Sequence, residues 1–260
     1  MLKYKRMGRK KIDVNLEQEA FLTSENDVMR SAKKAYKLTI KCKNKKQKEF
    51  LNLLKDECKE ICFGVGSAGT GKSYISLSYA LSALKDEELP YERIVCFVPT
   101  CEAGAMSIGL LKGTISEKIG PYLEADKDTI EKILKNSGNR ASKQIVQSLF
   151  NEELIEYRLV NFARGTTLDN AIILIAEAEN FSKEEMLLLL TRIGENSKII
   201  ITGDLEQLDR KDIIKSKNMC GLEYDIEKLK ELDKVGVVEF NNNDIVRNPL
   251  IGKIIDLWKK

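Results

Sequence analysis

The eight residues Gly66, Ser67, Ala68, Gly69, Thr70, Gly71, Lys72 and Ser73 constrain this chain more than any other stretch, because they match GxxxxGK[ST] in full. The apolar run Ile61-Cys62-Phe63-Gly64-Val65 stands directly before them and reads as a short buried strand. Directly after them, Ile75, Leu77, Tyr79, Ala80 and Leu84 recur at helical spacing until the acidic turn at 85–88 and Pro90. A strand, a glycine loop and a helix in that order build an anion nest. The glycines let successive N–H groups converge on one point, and the helix N-terminus adds its positive dipole. The guest such a loop suits is phosphate, with Lys72 bridging the β- and γ-phosphates and the Ser73 hydroxyl ligating Mg²⁺.

Five further apolar runs follow at 94–98, 159–162, 172–175, 199–201 and 235–240. Helical patterns precede and separate them around 44–57, 116–134, 141–156, 182–194, 222–233 and 248–259. Strands that are apolar throughout, rather than alternating, are buried on both faces. The pattern therefore predicts an α/β fold with a mainly parallel sheet and helices on both faces, its ligand at the carboxyl ends of the strands. The 260 residues, 43% of them hydrophobic, suffice for one such domain over 41–260, preceded by a basic arm over 1–40.

Composition excludes several classes. The chain has 32% charged residues and no apolar run of membrane-spanning length, and its basic start lacks a signal peptide's apolar core, so the expectation is a cytoplasmic protein with no membrane partner. With no histidine, neither a Ser-His-Asp triad nor an imidazole base is available, and the six cysteines show no CxxC pairing for zinc. The net charge of +3 is unevenly spread: residues 1–48 hold 15 Lys/Arg against 5 Asp/Glu, leaving the remainder acidic. Such an arm is suited to neutralising nucleic-acid phosphates, or else is a solvated tail.

A phosphate loop needs a second strand that ends in an Asp for the magnesium shell, commonly followed by a Glu that activates water. Here the run 172–175 ends in Ala176-Glu177-Ala178-Glu179-Asn180, so Glu177 is the candidate base and metal-side acid while the Asp position holds Ala176. The next strand ends in Thr202-Gly203-Asp204-Leu205-Glu206-Gln207, where Asp204 and Gln207 can orient water or sense a γ-phosphate.

Together with Glu102-Ala103-Gly104, Gly109, Gly113, Arg164-Gly165-Thr166-Thr167-Leu168, Thr191-Arg192 and Asp244-Ile245-Val246-Arg247-Asn248-Pro249-Leu250, these segments resemble the PhoH family from about Lys43 to Trp258. That family consists of phosphate-starvation-inducible proteins with a RecA-like P-loop NTPase domain related to superfamily-one helicases. The resemblance implies a cytoplasmic ATPase that uses ATP and Mg²⁺, assembles into a ring, most readily a hexamer, and acts on RNA or single-stranded nucleic acid as a translocase or helicase. A bacterial or bacteriophage source fits it. On the matching positions it implies adenine recognition by Gln47, phosphate binding by residues 66–73 with Tyr74 following, and γ-phosphate sensing by Asp204 and Gln207. Arg247 or Arg164 would be an arginine finger, able to act across a subunit boundary.

Two positions depart from the family pattern. Its Asp-Glu-Ala-Gln-Asn reads Ala176-Glu177-Ala178-Glu179-Asn180, and its Arg-Pro after the second strand reads Val98-Pro99. The first predicts impaired hydrolysis, whether Ala176 is a substitution introduced to trap nucleotide, the favoured account, or a natural degenerate form. The rival function is a non-hydrolysing, ATP-dependent RNA-binding scaffold. A small-molecule kinase accounts for the loop but not for Gln207 or the Arg247 segment.

Overall fold

A computed structural model describes residues 33, 35–99, 115–207, 220–247 and 257. Its strands are β1 (Ile61–Gly66), β2 (Arg93–Val98), β3 (Ile155–Leu159), β4 (Ala171–Ile175), β5 (Lys198–Gly203) and β6 (Val235–Phe240). The helices between and before them are α1 (Lys45–Lys55), α2 (Lys72–Lys85), α3 (Ile115–Asn136), α4 (Ser142–Asn151), α5 (Lys183–Leu190) and α6 (Gly221–Leu229). All six strands run parallel in the order β3-β2-β4-β5-β1-β6. This is the α/β arrangement expected of a RecA-like P-loop fold.

The double-sided burial read from the sequence follows from the pleat, which sends alternate side chains to opposite faces. On β4, Ile172 and Leu174 join a core with Phe50 and Leu54 of α1, Ile75 and Leu81 of α2, Ile130 and Ile133 of α3 and Leu149 of α4. Ile173 and Ile175 join the opposite core, with Met186 and Leu189 of α5 and Leu222 of α6. β1 and β5 divide in the same way, Cys62 and Ile200 to the first layer and Phe63, Ile199 and Ile201 to the second. Burying each such aliphatic side chain is worth about 1.5–3 kcal/mol, so the central strands are held from both sides.

The third strand differs from the expectation. It lies at 155–159, and residues 160–162, predicted to be extended, fall in a 3-10 turn over Val160–Ala163 instead. The helix expected to reach 156 ends at Asn151. Among the described residues β3 pairs only with β2. An edge position tolerates charged side chains, and Arg158 pairs with Glu156 at 2.8 Å, which breaks the apolar pattern that marks the central strands.

The packed chain begins before residue 41. Tyr36 is buried against the first core and its hydroxyl donates to the Leu81 carbonyl at 2.8 Å, while the Lys85 ammonium donates to the Tyr36 carbonyl. Most of the basic arm, the segment with Glu102, Gly104, Gly109 and Gly113, and the helix expected at 248–259 apart from Leu257 lie outside the described residues. Among the described residues no helix is long and apolar enough to cross a membrane.

Candidate functional site

The sheet order decides what meets the glycine loop. β5 lies between β1, which leads into the loop, and β4, which leads to the acidic turn. Residue 204, just past the end of β5, is thereby set beside both. A cavity of about 950 Å³ opens there, with Lys72, Ser73, Glu177, Asp204, Gln207 and Arg247 on its wall.

The loop is held from several directions. Gly66, Gly69 and Gly71 have φ of 123°, 78° and 90°, which favours glycine. At Gly66 a Cβ would collide with the Phe240 carbonyl of β6, and at Gly71 it would stand 2.6 Å from the Gln47 amide nitrogen. Within the loop the Thr70 hydroxyl donates to the Ser67 carbonyl at 2.9 Å, and the Ser67 and Asn242 side chains hydrogen-bond at 2.6 Å. The Val246 N–H donates to the Gly69 carbonyl at 3.0 Å, so the segment after β6 lies against the loop.

Gln47, on the first turn of α1, is buried. Its amide donates to the Thr70 carbonyl at 2.7 Å, and its Oε1 accepts from the Lys43 N–H at 2.7 Å. Asn44 caps the helix, accepting from the Gln47 N–H at 2.8 Å, and its own amide donates to the Asp244 carbonyl at 2.8 Å. Gln47 thus tethers the loop to α1, and these two bonds use one of its two N–H groups and one of its oxygen's two lone pairs.

Lys72 donates to the carbonyls of Gly66 and, at 3.0 Å, Ser67. Burial holds its pKa below the ordinary lysine value, and the nearby Asp204 and Glu179 carboxylates oppose that shift. Asp204 organises its surroundings. Its Oδ2 accepts from the Gln207 amide at 2.6 Å and its Oδ1 from the Glu206 N–H at 3.1 Å.

Glu177 takes φ 51°, a left-handed turn that carries the chain from β4 into a 3-10 turn over Ala178–Asn180. That reversal tucks Glu179 inward. Glu179 is buried, and its Oε2 accepts the Asp204 N–H at 3.0 Å. Its carboxyl is pushed up to about 7, chiefly by desolvation, with the Glu177 and Asp204 charges adding to the rise and two backbone N–H groups opposing it.

The cavity brings together Lys72, Glu177, Gln207 and Arg247, as well as Gln47, Ala68, Gly69, Gly71, Ser73, Tyr74 and Asp204. Thr70 is fully buried behind the loop, and Gly66 and Ser67 face a smaller cavity on the loop's other side. Arg164 is not among them. It is exposed in the turn after β3, at the sheet edge opposite β6. Sequence reasoning assigned no role to Glu179 or Lys132, and read Lys41 and Lys43 only as part of the basic segment over 1–48; all four line the same cavity. Glu179 carried a signal, an acid four residues past the strand end. A linear reading of strand ends does not say that a turn folds it back.

Phosphates and magnesium suit these groups chemically. Turned amides, a buried ammonium and the α2 N-terminus provide positive potential, and the Ser73 hydroxyl and carboxylates provide hard oxygen donors. Among the described residues no three His, Cys, Asp or Glu side chains form a metal cage of their own. Magnesium here would share its coordination with phosphate oxygens and water.

A family model described as "PhoH-like protein" matches residues 39–259. The chain is 34% identical over 236 residues to a PhoH-like protein of Bacillus subtilis, covering 91% of this chain and 68% of that protein. It is 33% identical over 222 residues to a PhoH-like protein of Mycobacterium tuberculosis, covering 85% of this chain and 58% of the relative. To Protein PhoH of Escherichia coli it is 32% identical over 222 residues, covering 84% and 58%. The chain therefore spans less than two thirds of the mycobacterial and Escherichia coli proteins.

Proposed function

The chain belongs to the PhoH-like protein family, and on that membership and its glycine loop we propose that it is an ATP hydrolase acting on RNA or single-stranded nucleic acid. The observation that carries this reading is the convergence of Lys72, Ser73, Glu177, Asp204 and Gln207 on one cavity at the carboxyl ends of β1, β4 and β5.

In this reading the loop amides and Lys72 hold the β- and γ-phosphates, Gln47 uses its remaining amide capacity on adenine, and Ser73 ligates magnesium. Bound magnesium supplies charge neutralisation along the phosphates. Glu177 polarises the attacking water, and Gln207, fixed by Asp204, registers whether the terminal phosphate is present. Ala176 offers no carboxylate at the strand end, which slows the hydrolytic step. Arg247 lies on the wall of its own chain's cavity. Arg164, on the far sheet edge, would reach a site only in a neighbouring copy, which is why a ring, a hexamer in the simplest case, is proposed. The Lys-rich arm and the exposed Lys41, Lys43 and Lys132 follow nucleic-acid phosphates.

Steady-state ATP hydrolysis with Mg²⁺, with and without single-stranded RNA, tests the reading on this chain, on Ala176→Asp and on Lys72→Ala. Turnover that RNA stimulates, that Ala176→Asp raises and that Lys72→Ala removes is the expected result. ATP binding without hydrolysis by either of the first two proteins would support the second reading, an ATP-dependent RNA-binding scaffold, which Ala176 favours.

A further inference from the structure

The acid that position 176 lacks has a counterpart three residues on, and we propose that Glu179 takes over its task of holding the magnesium shell in the bound state, without restoring the hydrolytic rate that Ala176 costs. This rests on the nucleotide-binding reading above.

Glu179 is 4% exposed, yet lies on the cavity wall with Lys72, Ser73 and Asp204. A buried carboxylate is costly unless it has hydrogen bonds and a nearby positive charge. Both are at hand, the Asp204 N–H at 3.0 Å and the Lys72 ammonium on the same cavity wall, and they offset the burial only in part. Three local features put it there. Glu177 adopts the left-handed conformation that reverses the chain, Ala178–Asn180 form one tight turn, and Gly203 leaves room, since a Cβ there would lie 2.5 Å from the Glu179 Oε2. Ala176 presents only a methyl group. One Glu179 oxygen is used by the Asp204 N–H, and a carboxylate has acceptor capacity on the other for magnesium-bound water.

A carboxylate acting through water fits the absence of a three-acid cage among the described residues. Magnesium dehydrates reluctantly and keeps several waters, so an acceptor one water away from the ion is a normal way to hold it. Glu179 is a positioning residue in this scheme. It orders the ion's water shell and touches neither the attacking water nor the γ-phosphate.

The test is the magnesium dependence of binding, read without turnover. The affinity of a non-hydrolysable ATP analogue is measured in Mg²⁺ and in EDTA for the parent, Glu179→Gln, Ala176→Asp and the double variant. Gln is isosteric and can still accept the Asp204 N–H. The parent should bind at least about tenfold tighter with Mg²⁺. Glu179→Gln should lose most of that gain while its affinity in EDTA stays the same, and Ala176→Asp should restore the gain in the Glu179→Gln background while adding little to the parent. Non-additivity of that kind marks two groups that do one job. A purely structural role would weaken both affinities together and would not be rescued from position 176. Either that pattern or a full Mg²⁺ gain in Glu179→Gln overturns the proposal and leaves the nucleotide reading standing. A parent that binds the analogue in neither buffer overturns both.

Discussion

The side-chain amide of Gln47 donates to the carbonyl of Thr70 across 2.7 Å, tying the first described helix to the middle of the glycine loop. Gln47 is 2% exposed and Thr70 is fully buried, so neither group can turn to water if the other is lost. Leaving a buried polar group unpaired costs about 1–3 kcal/mol. Gln47→Ala should therefore lower the thermal midpoint and weaken nucleotide binding at least about tenfold, as read by a melting curve and a titration on the same sample. A variant that melts earlier yet binds normally would show that Gln47 supports the fold but not the loop's competence.

Lys72 is the buried ammonium on the cavity wall. Lys72→Ala should reduce turnover by about 10²–10³, the usual cost of removing one preorganised group that stabilises developing charge. Lys72→Arg should not restore it, because the planar guanidinium cannot take the ammonium's place against the Gly66 and Ser67 carbonyls. Single-turnover measurements at saturating ATP separate this effect from weakened binding.

The two arginines differ in their position relative to the site. Arg247→Ala and Arg164→Ala should each lower turnover, by about 10³–10⁵ for whichever is the finger. Mixing decides between them. Inactive Arg164→Ala chains mixed with inactive Lys72→Ala chains should regain activity, because an intact site then meets an intact Arg164 on a neighbour. Arg247→Ala mixed with Lys72→Ala should stay inactive, since both losses fall in a chain's own cavity. Recovery in the second mixture and not the first would reverse the assignment.

Asp225 on α6 is buried, its Oδ2 has no hydrogen-bond partner among the described residues, and burial pushes its carboxyl up to about 7. A carboxyl with a raised folded-state pKa binds its proton more tightly in the folded protein. Its contribution to stability is full below the unfolded value near 4 and is lost as pH rises through 7. Asp225→Asn removes that loss, so its stability relative to the parent should grow between pH 5 and pH 8 by on the order of 2 kcal/mol. Urea unfolding at the two pH values checks the sign; an equal difference at both would mean that Asp225 does not titrate in this range.

The sequence makes legible those parts whose physics is local. β1, the loop and α2 can be read from one contiguous stretch, because glycine conformations and helix spacing need no distant partner. The central strands show themselves as continuous apolar runs for the same reason, since burial on both faces is written into each residue. β3 is missed because an edge strand keeps charges such as Glu156 and Arg158 that erase the pattern. Glu179 goes unassigned because its inward direction depends on the backbone of Glu177 and on the room left by Gly203, a residue on another strand. The relation of Arg247 to the loop is equally hidden. It depends on the Val246 hydrogen bond to Gly69, across most of the length of the chain.

The strand order also bears on how the protein acquires its site. β1 pairs with β5 and β6, the last two of the described strands, and with none of β2, β3 or β4. The glycine loop is synthesised before the other five described strands, yet its supporting strand has no ladder partner until residues 198–203 and 235–240 have emerged. Pairing at such long sequence separation closes large loops and is slow. A ligand that needs the closed loop would stabilise the final state rather than its precursors. A nascent chain stopped before β5 would expose both edges of β1 as open templates for aggregation. Competence of the loop is thus a late event in folding, and it reports that the chain through residue 240 is in place.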